Sequence, residues 1–284
     1  TAQTQIVVKP LPILTAVQNM IVCNNAPSQV VNFTSSLAGT TYSWLNDTPA
    51  IGLTSVGNGN ISSFTALNNG TTPIVATITV IPTANACEGS PITFTITVQP
   101  SPQVTVNGST EVCLGSNSPQ VSFTGSTGVA PYTFTYNING GANITAVSNG
   151  NTAILNAPTT TVGTFVYNLV GVTEAGNSCA AAVIGNATVI VHDLPQVNAG
   201  ADVDVCLNNP ITLTASGAVT YAWVPSIING TAFTPTSSGT YSVTGTDANG
   251  CVNTDALELT VNVPVLVDAG PDQVICIGDN VTLS

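Results

Sequence analysis

The chain repeats itself, and this self-similarity limits its fold more than any local motif does. Residues 197–214 (VNAGADVDVCLNNPITLT) align without gaps on residues 267–284 (VDAGPDQVICIGDNVTLS), at a period of 70 residues. Looser copies of the same opening lie at 20–34 (MIVCNNAPSQVVNFT) and 110–124 (TEVCLGSNSPQVSFT). Each copy contains a cysteine, a small turn cluster and an alternating strand. The pattern predicts a tandem array of small modules.

Each module continues with an aromatic strand whose two rings are spaced i, i+2 and so share one face. The three pairs are Tyr42/Trp44, Tyr132/Phe134 and Tyr221/Trp223. Short alternating strands between Gly, Asn and Pro turns predict an all-β chain of antiparallel β-sandwiches. A buried aromatic residue on the third strand is common in such sandwiches, so Trp44, Phe134 and Trp223 are predicted core residues. A sugar-stacking platform is the alternative interpretation of these rings.

A chain of 284 residues is too long for one sandwich of about 100 residues. We predict three full modules, called repeat 1 (13–101), repeat 2 (102–194) and repeat 3 (195–263). Residues 1–12 resemble the closing strand of a preceding repeat, and residues 264–284 resemble the start of a further, truncated repeat. We therefore predict that the sequence is a segment of a longer array of repeats.

Each repeat carries two cysteines at matching places. The opening cysteines are Cys23, Cys113, Cys206 and Cys276, and the second cysteines are Cys87, Cys179 and Cys251. They have no histidine partners and no C-x-x-C spacing, so they predict disulfides rather than zinc or redox sites. Disulfides in turn indicate an oxidising, extracellular location.

The pairing of these cysteines has two interpretations. The preferred pairs lie within repeats, with a downstream partner for Cys276: Cys23–Cys87, Cys113–Cys179 and Cys206–Cys251. The alternative pairs would staple neighbouring repeats together: Cys87–Cys113, Cys179–Cys206 and Cys251–Cys276. A closing strand of about nine residues spans roughly 30 Å and would separate the alternative partners, so pairing within repeats is predicted.

Charge and composition exclude several functions. The net charge is −12 and Lys9 is the only basic residue apart from one histidine, so nucleic acid and anionic membrane surfaces are not expected partners. The sequence has no apolar run of about 18 residues, so no membrane insertion is predicted. A single histidine, His192, cannot assemble a catalytic triad or a two-histidine metal set, so the chain is predicted not to be an enzyme.

Aspartates gather near the repeat openings and are weak candidates for calcium ligands that would rigidify a junction. They are Asp202, Asp204, Asp268 and Asp272, with Asp279 nearby. The D-x-D-x-D-G loop template is missing, and solvated turn aspartates are the simpler interpretation. No cofactor is predicted.

Several motifs carry a resemblance to a known family: VDAGPDQVICIGDNVTL (267–283), TYAW (220–223), GTYSVTGTDANGC (239–251) and AGTTYSWLNDTPAIGL (38–53). They resemble the PKD-like and related immunoglobulin-like tandem repeats of very large surface proteins of Bacteroidota, with repeat 2 matching less well. The resemblance implies sandwiches arranged as a rod, export as type IX secretion cargo and a place at the cell surface. It also implies a stalk segment of an adhesin or filament that serves gliding motility or attachment, with adjacent repeats as its partners.

Three other functions stay open at this point. One is a module that binds a glycan or protein, with the longer segment Tyr136 to Asn156 as its candidate region. Another is a self-assembling fibre, in which the opening at 264–284 is completed by a strand from another molecule. The third is an accessory domain of a secreted enzyme. A surface glycan or protein could also be bound through other parts of the protein.

Overall fold

Strands form almost all of the regular structure, as the alternation of apolar residues with threonine predicts. The computed structural model describes residues 4–282, and within them the only helical segment is a 3-10 turn at Pro49–Ile51. The strands, in chain order, are β1 Met20–Cys23, β2 Thr41–Asn46, β3 Val56–Asn58, β4 Ile74–Ala84, β5 Cys87–Glu88, β6 Ile92–Gln99, β7 Gln103–Asn107, β8 Thr110–Cys113, β9 Gln120–Ser126, β10 Tyr132–Ile138, β11 Ile144–Val147, β12 Thr152–Asn156, β13 Gly163–Glu174, β14 Ala180–His192, β15 Val203–Cys206, β16 Ile211–Thr212, β17 Thr220–Val224, β18 Ala232–Phe233, β19 Gly239–Thr246 and β20 Val252–Asn262.

The described residues divide into two compact units. Unit 1 contains the described residues up to Glu111, together with Asn117–Pro158 and Thr164–Ile190. Unit 2 contains Val112–Ser116, Thr159–Gly163 and the described residues from Val191 onward. Three short segments of repeat 2, at 112–116, 159–163 and 191–194, therefore belong to unit 2, and the repeat boundaries drawn from the sequence stay a prediction.

Repeat 1 is built on a sheet in the order β1-β6-β4-β2-β3, with β5 added to β4. Strand β1 runs parallel to β6, with Met20 opposite Ile96, whereas β4 pairs antiparallel with β6, β2 and β5, and β2 pairs antiparallel with β3. Along β4, buried Ala76, Ile78 and Val80 alternate with half-buried threonines and Ile81. The apolar side chains on one face of this sheet form the core.

Repeat 2 has two sheets, in the orders β11-β10-β13-β14-β8 and β12-β9-β7. Its interior is aromatic: Phe123 packs against Phe134 and Tyr136, with ring centroids 5.7 and 5.2 Å apart. Aromatic pairs at such distances contribute about 0.5–1.5 kcal/mol beyond the burial of their area.

Repeat 3 has a four-stranded sheet in the order β15-β20-β19-β17 and a small pair, β16-β18. Strand β15 runs parallel to β20, with Val203 opposite Leu259, as β1 does with β6. Trp223 is buried in this core, and its indole Nε1 donates a hydrogen bond to Asn229 Oδ1 at 3.2 Å.

Both ends of the described chain are irregular. The predicted closing strand at 1–12 lies partly outside the described residues, and residues 4–12 contain no strand. Pro10 and Pro12 have no N–H group to donate to a ladder, which disfavours a strand there. Residues 264–282, the predicted start of a further repeat, are exposed and also contain no strand.

Candidate functional site

Two disulfides join repeats that are neighbours in the sequence. Cys23 bonds Cys179 within unit 1, and Cys113 bonds Cys251 within unit 2. The Cα atoms of both pairs are 5.5 Å apart, which is the usual spacing for a disulfide. Each bond links the opening cysteine of one repeat to the second cysteine of the following repeat.

This pairing corrects the sequence prediction. None of the predicted pairs within repeats forms, and neither do the alternative staples between adjacent cysteines. Within the described residues, Cys87, Cys206 and Cys276 are free thiols. Cys276 therefore stays without an observed partner, and its predicted downstream pairing stays a prediction.

The closing strand explains why the pairs within repeats cannot form. In repeat 1, Cys23 lies opposite Gln99, the last residue of β6. Cys87 lies before Ile92, the first residue of that strand, and so at its other end. Eight residues of strand span about 26 Å, whereas the Cα atoms of a disulfide lie within about 7 Å. The two cysteines of one repeat therefore lie at opposite ends of its closing strand.

The opening cysteines share one backbone arrangement. The residue after each cysteine donates its N–H group to the carbonyl oxygen at the end of the closing strand of the same repeat. These bonds are Asn24 to Gln99 at 2.8 Å, Leu114 to His192 at 2.8 Å and Leu207 to Asn262 at 2.9 Å. These hydrogen bonds hold the opening cysteine of each repeat beside the C-terminal end of its closing strand.

The second cysteines follow a hairpin that joins the last two long strands of each repeat. Cys179 and Cys251 are 1% and 0% exposed, so their sulfur atoms are enclosed. In both hairpins a carboxylate accepts a hydrogen bond from the backbone N–H group of the cysteine: Glu174 Oε1 at 3.3 Å from Cys179, and Asp247 Oδ1 at 2.8 Å from Cys251. The acid and the cysteine also close the hairpin, because the acid donates its N–H group to the carbonyl of the cysteine, at 3.0 Å in each case.

Glu174 is only 3% exposed, and backbone N–H groups donate to its carboxylate. Besides Cys179, the backbone N–H groups of Val129, Gly176 and Asn177 donate to its carboxylate at 2.8–3.1 Å. Burial raises the pKa of Glu174, but these backbone donors outweigh it and hold the pKa below its ordinary value. The buried acid therefore stays ionised and organises the hairpin.

Neither Glu174 nor Asp247 was identified from the sequence. The available signal was an acid four or five residues before a second cysteine, in EAGNSC (174–179) and DANGC (247–251). Nothing in that signal distinguishes a buried carboxylate from a solvated one.

A shallow cavity of about 650 Å³ lies beside the first linkage, within unit 1. It is lined by the segment after Cys23, residues 101–104 at the start of β7, and the start of β14. Asn24 Nδ2 donates to Ser101 Oγ at 3.1 Å, and Asn24 Oδ1 accepts from the backbone of Asn68 at 2.8 Å. Asn24 thus joins the segment after Cys23 to Ser101, at the boundary between repeats 1 and 2, by one side-chain hydrogen bond.

The candidate calcium ligands do not converge. Asp202 Oδ1 accepts from the backbone N–H of Glu258 at 2.8 Å, and Asp268 Oδ1 accepts from Gly270 at 2.8 Å. Asp204 and Asp272 are exposed. In the part of the chain that the structure describes, no three His, Cys, Asp or Glu side chains are grouped as a metal site would need.

The predicted core aromatic residues Trp44, Phe134 and Trp223 are all buried. Tyr136, at the start of the candidate binding segment 136–156, is also buried and stacks on Tyr167 with ring centroids 6.4 Å apart. Tyr42 is half-buried and lines an open groove of about 560 Å³ among Thr40, Asn58 and Thr83. Residues 4–282 contain no helix that is long and apolar enough to cross a membrane.

Comparisons with known proteins support the fold. No protein-family model matches the chain, and no curated protein sequence does. A fragment of the titin I-band matches over 90% of this chain and 100% of its own length, with a TM-score of 0.52 at 10% identity. A mutated variant of a three-immunoglobulin-domain stretch of titin matches with a TM-score of 0.51, also at 10% identity and over the same shares of both chains. The likeness shows an all-β chain of tandem immunoglobulin-like domains.

Proposed function

We propose that this chain is a structural stalk segment of a very large secreted bacterial surface protein, an adhesin or filament of the PKD-like type. Its repeats perform no chemistry and act as spacers that hold an adhesive or motile part of the protein away from the cell. The proposal includes a place at the cell surface, secretion as type IX cargo and a role in gliding motility or attachment. Its direct partners are the neighbouring repeats of the array, and a glycan or protein ligand would be bound elsewhere in the protein.

The interleaved disulfides carry this proposal. Because the loops Cys23–Cys179 and Cys113–Cys251 overlap, every peptide bond from Cys23 to Cys251 lies inside at least one closed loop. A single backbone cut in that region leaves both parts covalently joined. Disulfides within repeats would leave the linkers between repeats unprotected.

The same bonds limit how far the chain can stretch. The shortest covalent route between the ends passes through both disulfides and contains about 120 residues. At about 3.6 Å per extended residue, this route measures roughly 430 Å, against roughly 1,000 Å for the whole chain. A spacer under tension would thus resist both proteolysis and extension.

Support for the location comes from the disulfides, which persist in oxidising compartments. The chain has one basic residue that trypsin could recognise, Lys9, and Pro10 follows it. A stalk exposed to trypsin-like proteases would gain from such a composition.

An engineered trypsin site tests the covalent continuity. Ala201 lies in an exposed loop between Cys179 and Cys206, and Ala201→Arg introduces a cleavage site there. We expect trypsin to leave one species on a non-reducing gel and two fragments after reduction, with free thiols blocked beforehand. Release of two fragments without reductant would contradict the observed pairing and support pairs within repeats.

Ala269→Arg is the control, because position 269 is an exposed alanine two residues before Pro271, the equivalent of position 201 one period later, and lies outside both loops. Its short fragment should separate without reductant.

The stalk function itself is tested on intact source cells. We expect immunogold labelling with an antibody against this chain to place gold particles outside the cell envelope and at a distance from it. Labelling confined to the cell interior would overturn the proposal.

A further inference from the structure

The free cysteines Cys206 and Cys87 occupy the two kinds of position that are bonded elsewhere in the chain. Cys206 is an opening cysteine, like the bonded Cys23 and Cys113. Cys87 is a second cysteine, like the bonded Cys179 and Cys251. The free cysteines match the bonded ones in backbone structure as well as in sequence position.

The backbone around Cys206 reproduces that of the bonded opening cysteines. Cys206 ends β15 and lies opposite Asn262 in a parallel ladder, as Cys23 lies opposite Gln99. The following residue, Leu207, donates to the carbonyl of Asn262 at 2.9 Å. The differences are that Cys206 is exposed, whereas Cys23 and Cys113 are half-buried, and that it has no disulfide.

Cys87 has the corresponding position at the other end of a repeat. It pairs with Ala84 across the hairpin that follows β4. Cys251 has the corresponding place in the hairpin after β19, where Asp247 donates its N–H group to the carbonyl oxygen of Cys251. Cys87 is half-buried, whereas the bonded second cysteines are fully enclosed.

We propose that Cys206 is the attachment site for the second cysteine of another repeat of this type, and Cys87 for the opening cysteine of another such repeat. Both observed bonds obey one rule: an opening cysteine bonds the second cysteine of the next repeat. The rule excludes a bond between two opening cysteines, such as Cys206 with Cys276. It does not depend on the chain being a surface stalk.

The bond forms by thiol–disulfide exchange with a low-molecular-weight disulfide as oxidant. The thiolate of Cys206 attacks the oxidant, forms a mixed disulfide and releases one small thiol. The thiolate of the partner cysteine then attacks the sulfur of Cys206 and displaces the second small thiol. In total, two protein thiols are oxidised by two electrons, and one small disulfide is reduced to two thiols that take up the two protons.

Disulfide mapping of the protein isolated from its source tests this rule. Free thiols are alkylated at once, the protein is digested with pepsin at acidic pH to prevent exchange, and linked peptides are identified by mass spectrometry. We expect Cys206 linked to a cysteine that follows a strand hairpin, and Cys87 linked to a cysteine that ends an opening strand. A peptide joining Cys206 to Cys87 of another copy meets both descriptions.

Two results would overturn the inference. One is an alkylated thiol at Cys206 or Cys87 in the isolated protein. The other is a bond from Cys206 to Cys276 or to another opening cysteine. Neither result would bear on whether the protein is exposed at the cell surface, which the immunogold experiment decides separately.

Discussion

The hairpin before Cys87 and the hairpins before Cys179 and Cys251 hold equivalent cysteines by different means. In repeat 1, Ala84 pairs with Cys87 around a two-residue turn, Asn85-Ala86, in which both residues have positive φ, 52° and 64°. In repeats 2 and 3 the position of Ala84 is taken by an acid, and the loops are longer.

The difference shows how a chain with almost no basic residues can hold a carboxylate in its interior. The loop amides of repeat 2 turn inward and supply the positive ends of four N–H dipoles to Glu174. A two-residue turn has no inward-facing amides to offer. Repeat 1 therefore has a small apolar side chain at this position, and its backbone takes up the turn geometry instead.

The largest predicted effect is the loss of hairpin stability on removing Glu174. We expect Glu174→Ala to destabilise its hairpin by about 3 kcal/mol, because several buried N–H groups lose a charged acceptor at once. Hydrogen–deuterium exchange at the Cys179 amide measures this loss as reduced protection.

Glu88→Ala is the matched control, since Glu88 is an exposed acid beside the hairpin of repeat 1. It should change the protection of its own hairpin by less than about 0.5 kcal/mol. Equal effects of the two substitutions would mean that Glu174 does not organise its hairpin.

The lowered pKa of Glu174 predicts a pH dependence with a definite sign. A carboxyl group whose pKa is lower in the folded state contributes stability above its unfolded pKa, about 4.3 for glutamate, and this contribution is lost as the pH falls through the folded pKa. We expect the urea midpoint of the chain, followed by circular dichroism, to fall between about pH 5 and pH 3. Glu174→Gln should flatten this decline.

Some pH dependence will remain in that variant. The pKa values of Asp47 and Asp255 are also lowered, because the backbone N–H groups of Thr77 and Ala199 donate to their carboxylates. An unchanged slope in Glu174→Gln would show that these two aspartates, and not Glu174, cause the acid sensitivity.

Asp247, the equivalent acid of repeat 3, should contribute less to the stability of its hairpin than Glu174 does. Asp247 is half-buried and its carboxylate accepts from two amides, those of Asn249 and Cys251, both at 2.8 Å. We expect Asp247→Ala to lower the protection of the Cys251 amide by about 1 kcal/mol, since water can satisfy the freed groups. A loss of protection as large as that in Glu174→Ala would mean that burial of the carboxylate does not determine how much it stabilises its hairpin.

Strand patterning could be predicted from the sequence because it is local. Alternating apolar residues in β4 and β6 define one buried face, and the aromatic strand places Trp44 or Trp223 on it. The cysteine partners could not be predicted, because pairing depends on which end of a repeat each thiol reaches. The closing strand separates Cys23 from Cys87 as well as Cys87 from Cys113, so its length excludes the pairs within repeats too.

The smallest predicted effect has the opposite sign and concerns the hairpin of repeat 1. Ala86 is exposed and has a φ of 64°, where a Cβ atom costs about 1 kcal/mol and glycine is favoured. Ala86→Gly creates the Asn-Gly pair preferred in two-residue hairpins and should stabilise repeat 1 by about 0.5–1 kcal/mol. Urea denaturation followed by the fluorescence of Trp44, in a Trp223→Phe background, measures this change.

Asn85→Gly is the control for the glycine substitution, because asparagine already tolerates positive φ and the replacement relieves less strain. We expect it to be neutral or slightly destabilising. If Ala86→Gly also failed to stabilise repeat 1, the backbone at Ala86 would not carry the strain that its φ implies. The contrast between a turn held by its backbone and turns held by a carboxylate would then rest on Glu174 and Asp247 alone.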